Sequence, residues 1–436
     1  MPDKLKKYDL VVIGGGPSGM GAALEAKEQG VEKILVLERD KFLGGILPQC
    51  IHNGFGLEYF QKELTGPEYA LRFKEKIVAA DIEVKMETMV TDITNNREII
   101  ALNKKEGVIR LKAAAIVLAM GCRERTRENI RIPGARVAGV FTAGTAQRYT
   151  NIEGFMPGEK VVILGSGDIG LIMARRMKLE GAEVAGVLEL MPYSSGLIRN
   201  KVQCLDDFDI PLKLQQTVTR IEGKDRVERV YVSRVDEQQK PVPGSEYEID
   251  CDTLLLSVGL IPENELSKNI GIKLSPTTGG AVVNEIRETS VKGVFAAGNV
   301  LHVHDLVDWA TLEAEMAGKG VSCYLKGDLS SRKNVIKLKS GKNVNYIVPH
   351  KLSYREKNRK FIKLFMRVKK PMENVVVKLM AGDEELLGYN KDIVTPGEML
   401  TVNLPESILE PETKEIKVVI VSRDKIKEGE RGRQQK

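Results

Sequence analysis

Two copies of one sequence pattern constrain the fold of this chain more than any other feature. A short apolar run precedes the glycine-rich loop at residues 14–19, and a second apolar run precedes the loop at residues 165–170. Both loops have the spacing GxGxxG, and each is followed by a helix-like segment and a further apolar run. In each copy an acidic residue, Glu38 or Glu189, ends that further run 24 residues after the first glycine of the loop. The recurrence with equal spacing predicts two βαβ units of the dinucleotide-binding type.

Each position of the loop has a physical role in such a unit. The first glycine permits a tight turn, the second lets a pyrophosphate approach the backbone, and the third lets the helix pack on the strand. The helix N-terminus offers free N–H groups and a positive dipole end to the phosphates. The residues expected to bind nucleotides in these two units are Gly14, Gly16, Pro17, Ser18, Gly19 and Glu38, and then Gly165, Gly167, Asp168, Ile169 and Glu189.

Glu189 also predicts which nicotinamide nucleotide the second unit prefers. A carboxylate at this position accepts hydrogen bonds from a ribose diol but repels a 2′-phosphate. The following residues, Leu190, Met191 and Pro192, supply no arginine to hold such a phosphate. The sequence therefore favours NAD(H) over NADP(H).

A β-rich stretch follows each βαβ unit, at residues 90–121 after the first and at 218–259 after the second. Both stretches show strand-like alternation and end in an apolar run that closes on a glycine. Each copy is thus a whole nucleotide-binding domain. A length of 436 residues leaves room for about three domains.

Charge and cysteine content exclude several classes of protein. The formal net charge of +6 is uneven, because residues 332–436 hold 24 basic and 14 acidic side chains while the rest hold 42 and 46. A general affinity for nucleic acid is therefore a poor interpretation. The five cysteines are scattered and form no CxxC, which argues against a disulfide framework or a structural zinc site. The sequence has no run of about 18 apolar residues, so we expect a cytoplasmic chain.

The last quarter of the chain has a different pattern. From about residue 331 the sequence predicts up to seven short strands and hence a small β-sandwich. Residues 332–370 contain 14 basic residues and one acid, Glu356. A solvated strand face is the default explanation, a docking face for an acidic partner is the sharper alternative, and nucleic-acid binding ranks third. Residues 425–436 are expected to be disordered.

The duplicated units and their order resemble the flavin-dependent pyridine-nucleotide disulfide oxidoreductase superfamily over about residues 6–328. The resemblance implies an α/β fold with two Rossmann-like domains, an FAD domain interrupted by an NAD domain, and then an all-β sandwich-like domain. The implied boundaries are 1–122 and 258–328 for the two parts of the FAD domain, 123–257 for the NAD domain, and 329–424 for the β domain. FAD and NAD(H) are the implied cofactors.

The segment at residues 293–299, GVFAAGN, resembles the GVFAAGD signature of that superfamily. Asn299 replaces the usual aspartate, but its amide oxygen can still accept a hydrogen bond from the cofactor. The further cofactor-binding residues that the resemblance implies are Arg39, Gly44, Gly45, Val90, Ala119, Gly121, Gly259, Gly298, Asn299, His304, Asp305 and Leu306.

The sulfur chemistry of this chain departs from the superfamily. Its disulfide reductases use two cysteines spaced CxxxxC after a Gly-Gly turn, or CxxC in the second domain. Leu47 and His52 occupy the CxxxxC register here, and Cys50 lies off it, so we expect no dithiol relay. Two roles remain for Cys50. It is either a lone redox-active thiol or simply a small buried residue of a packed loop, and the second interpretation is at least as good as the first. The candidate catalytic residues are Cys50, His52 and His304.

Histidines are rare in the chain and fall in informative places. Three of the four, His52, His302 and His304, occur in segments that such a fold brings to the isoalloxazine. For Asp305 the favoured role is a helix N-cap, with Asp308 complementing the helix dipole. A metal site from the two later histidines and Asp308 has only weak support, so no metal is expected.

Three stretches, PQCIHNGFGLEYF, AMGCRERTRENIRIPGARVAGVFTAGTAQRY and AAGNVLHVHDLVDWA, resemble a narrower group. These are the NADH-oxidoreductase flavoproteins associated with glycerol-3-phosphate dehydrogenase and, less closely, the nucleotide-binding subunits of sarcosine oxidase and hydrogen cyanide synthase. The resemblance implies hydride transfer between NADH and FAD, in a hetero-oligomer with a glycerol-3-phosphate dehydrogenase flavoprotein and a cysteine-rich iron–sulfur subunit. The alternatives are a stand-alone NADH oxidase or peroxidase that uses Cys50, or a non-catalytic scaffold subunit.

Overall fold

A computed structural model describes residues 5–355 and 359–423, so the tail predicted to be disordered lies outside the described residues. The chain folds into two compact units. Within the described residues, the first comprises 5–47, 53–122, 262–355 and 359–423, and the second comprises 48–52 and 123–261. The second unit thus interrupts the first, ends at residue 261 rather than 257, and includes a short loop from the first segment.

The first segment forms a mixed sheet with helices. Its elements are β1 (Lys6–Ile13), α1 (Pro17–Glu28), β2 (Ile34–Leu37), β3 (Asn53–Phe55), β4 (Leu64–Thr65), α2 (Gly66–Ala79), β5 (Glu83–Lys85), β6 (Thr88–Ile93), β7 (Glu98–Asn103) and β8 (Gly107–Leu118). Strands β5, β2, β1 and β8 are parallel and adjacent in that order, and β7 and β6 continue the sheet antiparallel. Leu10, Val11 and Val12 of β1 are fully buried, as in a parallel strand covered on both faces.

The inserted segment repeats the plan of the first. Its elements are β9 (Cys122–Glu124), α3 (Arg127–Ile130), β10 (Val140–Thr142), α4 (Ala143–Arg148), β11 (Lys160–Leu164), α5 (Asp168–Leu179), β12 (Glu183–Glu189), α6 (Ile198–Cys204), β13 (Leu212–Leu214), β14 (Gln216–Gly223), β15 (Val227–Arg234), β16 (Tyr247–Asp250), β17 (Thr253–Leu256) and β18 (Leu260–Pro262). One sheet is parallel, with the order β10, β17, β11, β12, β13, and the second glycine loop follows its strand β11. Strands β14, β15 and β16 form a separate antiparallel meander.

The chain then returns to the first unit. The returning elements are α7 (Glu265–Asn269), β19 (Val294–Ala296) and α8 (Val307–Lys326). Strand β19 pairs in parallel with β8 and so completes the first sheet. Helix α8 packs closely on α1. At Gly318 the two helices are so close that a Cβ would lie only 2.4 Å from the carbonyl oxygen of Ala22.

The C-terminal region adds strands to the same unit. In the described residues these are β20 (Ser330–Ser340), β21 (Val344–Val348), β22 (Lys351–Arg355), β23 (Phe361–Val368), β24 (Met372–Ala381), β25 (Glu384–Val394), β26 (Leu400–Pro405) and β27 (Glu415–Ser422). One sheet has the order β22, β20, β27, β24, β25, and the other has the order β21, β23, β26. A buried cluster that includes Leu338, Leu364 and Val418 joins both sheets, as in a sandwich. The predicted single strand NVNYIVPHKL is two strands here, because Pro349 has no N–H to continue the ladder.

The described residues also contain short helical turns. They are the 3₁₀ turns Leu47–Gln49, Asp206–Phe208, Gly298–Val300 and Glu406–Ile408, and a π-helical turn at Tyr149–Glu153. Within residues 5–355 and 359–423, no helix is both long enough and apolar enough to cross a membrane.

Candidate functional site

The first glycine loop is shaped by close backbone approaches. Gly14 has φ +105°, and a Cβ there would lie 2.3 Å from the carbonyl oxygen of Ala119, which directly follows β8. A Cβ at Gly19 would lie 1.8 Å from the carbonyl oxygen of Gly14. A side chain at Gly14 would push the loop away from the segment that follows β8, and one at Gly19 would push α1 away from the end of β1, so the two glycines set the strand-to-helix geometry.

The N-terminus of α1 is open to an anionic ligand. Gly16 is the N-cap and provides no side-chain cap, and Pro17 and Ser18 follow it at the start of the helix. A Cβ on Gly16 would have as its nearest heavy atom the Cα of Gly45, 3.7 Å away. The backbone N–H groups of the first turn therefore face space that a pyrophosphate can enter. Gly44 is held beside this loop, because its N–H donates to the carbonyl oxygen of Gly15 at 2.9 Å.

Glu38 lies at the end of β2, beside the loop. Its carboxylate is buried and accepts hydrogen bonds from the N–H of Gly15 at 2.7 Å and from the N–H of Asp40 at 2.8 Å. Arg39, the next residue, is exposed, and Val90 is buried in strand β6. The backbone bonds fix the Glu38 side chain at the place where a ribose diol follows a pyrophosphate in this fold.

The return segment brings a second group of predicted residues to the same loop. A Cβ on Gly298 would lie 2.1 Å from Ser18 Oγ, which places this glycine directly against the start of α1. Asn299 Oδ1 accepts a hydrogen bond from the N–H of His304 at 2.9 Å, and Asn299 Nδ2 donates to Cys122 Sγ at 3.6 Å. Gly121, just before Cys122, is half-buried. The residues of the first predicted nucleotide site thus converge within one unit.

The role predicted for Asp305 at the start of α8 is wrong. The N-cap of this helix is Leu306, which makes no side-chain cap, whereas Asp305 forms an ion pair with Arg367 at 3.3 Å. Asp308 lies in the first turn as predicted, and its carboxylate also accepts from the backbone N–H groups of Gly56 and Tyr59, both at 3.1 Å. Both acids are engaged by distant segments, which the local sequence pattern does not reveal.

A buried polar cluster that the sequence did not predict lies beside Asn299. His302, His304 and Glu313 bring their ligating atoms within 4.8 Å of one another, and the Glu313 carboxylate also pairs with the buried Arg287 at 3.1 Å. Glu313 rather than Asp308 therefore accompanies the two histidines. The signal that could have indicated it is an acidic residue on the apolar face of an amphipathic helix.

The second glycine loop repeats the geometry of the first. Gly165 has φ +100°, and a Cβ there would lie 2.1 Å from the carbonyl oxygen of Ser257. A Cβ on Gly170 would lie 2.5 Å from the carbonyl oxygen of Gly165. Gly167 is the N-cap of α5 and, like its counterpart in the first unit, provides no side-chain cap. Ile169 in the first turn is half-buried.

The acidic residues of the second unit are held by hydrogen bonds. Glu189, at the end of β12, is buried and accepts from the N–H of Ser166 at 2.9 Å and from the N–H of Met191 at 2.8 Å. Asp168 Oδ1 accepts from the N–H of Leu197 at 2.8 Å. Gly259 is exposed, and its carbonyl oxygen accepts from the N–H of Arg125 at 3.0 Å.

The three candidate catalytic residues are divided between the two units, because Cys50 and His52 belong to the second and His304 to the first. Cys50 is buried, with its Sγ 3.6 Å from Gln147 Oε1, and burial raises the pKa of its thiol to about 12. His52 is half-buried. Burial likewise lowers the pKa of His304 to about 3, assisted by the neighbouring His302. Neither Cys50 nor His304 is poised to change protonation near pH 7.

Comparison with known proteins identifies the family. Residues 8–314 match the family described as pyridine nucleotide-disulphide oxidoreductase. The chain belongs to this family. Its members use FAD and NAD(P)H, and the chain is an oxidoreductase of that kind. Both glycine loops fit these cofactors, since each presents an uncapped helix N-terminus and a buried carboxylate at the end of the next strand.

The similar proteins have varied names. The hydrogen cyanide synthase subunit HcnB of Pseudomonas protegens is 27% identical over 66% of this chain and 65% of its own length. The NAD(P)H sulfur oxidoreductase (CoA-dependent) of Pyrococcus abyssi is 27% identical over 73% of this chain and 68% of its own. The chain therefore spans only about two thirds of the length of these relatives, slightly less for HcnB.

Solved structures confirm the predicted fold class. Thioredoxin reductase of T. acidophilum aligns with a TM-score of 0.61 at 24% identity, over 73% of this chain and 98% of that protein. A NAD-dependent persulfide reductase of A. fulgidus aligns with a TM-score of 0.56 at 20% identity, over 85% of this chain and 67% of that protein. Two Rossmann-type domains followed by a β region is the architecture observed.

Proposed function

We propose that the chain is an NADH-linked flavoprotein subunit that exchanges electrons with a second redox protein and uses no dithiol of its own. The second glycine loop binds NADH, the first binds FAD, and a hydride passes between them. The electrons then move to or from a glycerol-3-phosphate dehydrogenase flavoprotein and a cysteine-rich iron–sulfur subunit. The five cysteines form no disulfide bonds, which suits a cytoplasmic location.

The observation that carries this proposal is the identity of the residues that follow the Gly44–Gly45 turn, where the disulfide reductases have their two cysteines. The two positions of the dithiol register hold Leu47 and His52, and the nearby Cys50 is a buried thiol whose pKa burial raises to about 12. A relay through a disulfide needs two sulfurs that exchange through a thiolate. This segment has one cysteine instead of two, and its thiol is buried with a raised pKa. The electrons of NADH therefore leave the chain through another acceptor.

FAD, when bound, accepts a hydride from NADH and can release its electrons one at a time. The contribution of the chain is to bind and orient the two nucleotides. The open N-terminus of α1 holds one pyrophosphate and that of α5 holds the other, while Glu38 and Glu189 hold the ribose diols. Hydride transfer between two rings needs positioning more than acid–base catalysis, in keeping with the shifted pKa values of Cys50 and His304.

The names of the relatives support a role within an assembly. Besides the hydrogen cyanide synthase subunit, one of the named subunits of an opine oxidase from Agrobacterium tumefaciens is 24% identical over 67% of this chain. Both names describe proteins that act in assemblies. The basic stretch at residues 332–370 contributes less to docking than its charge indicates, because Arg332, Lys339 and Arg367 pair with acids of the same unit.

An electron count per flavin tests the absence of a dithiol. We expect anaerobic titration of the FAD-loaded chain to need one equivalent of NADH, or two electrons, for full bleaching. A redox-active disulfide would raise the count to four electrons. Cys50→Ser is expected to leave the two-electron endpoint unchanged, and an endpoint near four electrons in the wild type would overturn the proposal.

A second measurement addresses the partner. The chain is co-purified with a glycerol-3-phosphate dehydrogenase flavoprotein and its cysteine-rich companion, and glycerol 3-phosphate is added anaerobically with NAD+. We expect NADH to form only when all the proteins are present. Formation by the dehydrogenase without this chain, or no formation in the full mixture, would contradict the assignment of partners.

A second candidate function is favoured by two relatives from Pyrococcus, whose names are NAD(P)H sulfur oxidoreductase and NAD(P)H coenzyme A polysulfide/persulfide reductase. A single thiol beside the flavin would serve such a reaction or a peroxidase, and Cys50 is the residue that could supply it. Its burial and raised pKa count against this role. NADH-dependent polysulfide or peroxide reduction that Cys50→Ser abolishes while FAD stays bound would establish it.

A further inference from the structure

His302, His304 and Glu313 form a compact group in the first unit, where the return segment meets the β region. All three side chains are at most 1% exposed. His302 Nε2 lies 3.0 Å from Glu313 Oε1, and His304 Nε2 lies 3.4 Å from Glu313 Oε2. Ligand atoms bound to one metal ion at about 2.1 Å each are separated by similar distances.

The outer nitrogens of both imidazoles are oriented by other side chains. His302 Nδ1 lies 3.4 Å from the hydroxyl of Tyr346, and His304 Nδ1 lies 3.4 Å from Asn299 Oδ1. Both Nε2 atoms consequently face the Glu313 carboxylate. Metal-binding histidines in proteins have this arrangement, in which the nitrogen remote from the metal donates to a neighbouring oxygen.

The hydrogen bonding of His304 is incomplete without a further cation. Asn299 Oδ1 is fixed as an acceptor because it receives the backbone N–H of His304 at 2.9 Å. A proton on Nδ1 satisfies that oxygen and leaves Nε2 bare, and Nε2 makes no hydrogen bond although Glu313 Oε2 is 3.4 Å away. In this tautomer a buried lone pair beside a carboxylate lacks a partner.

The carboxylate of Glu313 is held in place by two further donors. Arg287 Nε donates to Oε1 at 3.1 Å and the N–H of Gly298 donates to Oε2 at 3.1 Å. Such donors orient a ligating carboxylate, although the guanidinium charge weakens the attraction for a further cation.

We propose that His302 Nε2, His304 Nε2 and the Glu313 carboxylate bind one divalent first-row transition-metal ion, such as Zn²⁺. Two imidazoles and one carboxylate are a ligand set that zinc and its neighbours accept. The ion joins the loop after Asn299, helix α8 and, through Tyr346, strand β21. Its role is to hold Asn299 and the start of α8 in place, and it is independent of the electron partner.

Metal content measures the site directly. The untagged, FAD-loaded chain is stripped with a chelator, loaded with Zn²⁺, passed over a chelating resin, and analysed for zinc and flavin. We expect one zinc per chain in the wild type and at most about a tenth of that in His304→Gln. His350→Gln is the matched control, since it also removes one imidazole but at a half-buried position outside the group, and it should keep one zinc.

A milder variant covers the case in which the cluster variants do not fold. Tyr346→Phe removes only the hydroxyl behind His302, and loss of such an outer partner weakens metal binding about tenfold or more. Isothermal titration of the stripped chain with Zn²⁺ should show this weakening with the flavin still bound. No saturable zinc binding by the wild type, or zinc retained equally by His304→Gln, would overturn the proposal.

Discussion

The carboxylate of Glu189 accepts a hydrogen bond of 2.9 Å from the backbone N–H of Ser166, inside the second glycine loop. Glu38 makes the corresponding bond of 2.7 Å with Gly15 in the first loop. The equal spacing in sequence thus corresponds to equal geometry in space. In both units the acid at the end of the second strand is held against the loop that receives the phosphates.

Glu189→Gln tests whether this carboxylate selects the nicotinamide nucleotide. The amide keeps one acceptor but loses the charge that repels a 2′-phosphate, so we expect the ratio of kcat/KM for NADH over NADPH to fall about tenfold, or about 1.4 kcal/mol. The assay is anaerobic flavin reduction by each nucleotide. Glu38→Gln in the first unit is the matched control, and it should leave the ratio unchanged. An unaltered ratio in Glu189→Gln would remove the basis for the NADH assignment.

Gly16→Ala and Gly19→Ala distinguish two reasons for a glycine in the first loop. Gly16 leaves space for a ligand, whereas Gly19 is required by a close backbone contact. Alanine at Gly16 has no heavy atom closer than 3.7 Å, so the free energy of unfolding of the apoprotein should change by less than about 0.5 kcal/mol. Its methyl group fills the space for a pyrophosphate, and we expect FAD affinity to fall at least about tenfold.

Alanine at Gly19 meets a carbonyl oxygen at 1.8 Å and should destabilise the apoprotein itself by about 3 kcal/mol. Urea denaturation of the apoproteins and FAD titration provide the two measurements. Equal effects of the two substitutions on apoprotein stability would contradict this division of roles.

The ion pair of Asp305 and Arg367 connects the start of α8 to strand β23. The two side chains are only 6% and 12% exposed, and Arg367 also donates to the carbonyl oxygen of Val303 at 3.2 Å. Arg367→Met leaves a buried carboxylate without its cation and should lower the free energy of unfolding by about 3 kcal/mol. Lys339→Met breaks an exposed pair with Glu415 and should cost less than about 1 kcal/mol in the same urea series. Similar losses for both would show that the Asp305 pair is not a buried contact.

The lowered pKa of His350 should make the stability of the folded chain fall in acid. Burial, with the charges of His302 and Arg287, lowers its pKa to about 4, below the value of about 6.5 in an unfolded chain. The unfolded state therefore binds more protons between pH 6.5 and pH 4, and stability falls as the pH falls through that window. We expect His350→Gln to lose about 2 kcal/mol less than the wild type between pH 7 and pH 4.5. Between pH 7 and pH 8 the difference between the two proteins should stay constant, and parallel curves down to pH 4.5 would contradict the shift.

The sequence predicts local features well where one segment determines them. The glycine loops, the strands that flank them and the positions of Glu38 and Glu189 follow from short-range steric and periodic rules. The local context of Asp305 fits an N-cap, but its actual partner Arg367 is 62 residues away. The group of His302, His304 and Glu313 depends on helix α8 folding back over the return loop, which no local pattern specifies.

The most direct test of the account is anaerobic addition of NADH and of NADPH to the purified, FAD-loaded chain, followed by its visible spectrum. We expect a yellow protein that NADH bleaches completely with one equivalent per flavin, while NADPH bleaches it at least about tenfold more slowly. A chain that binds no flavin, or one that NADPH reduces in preference to NADH, would contradict it.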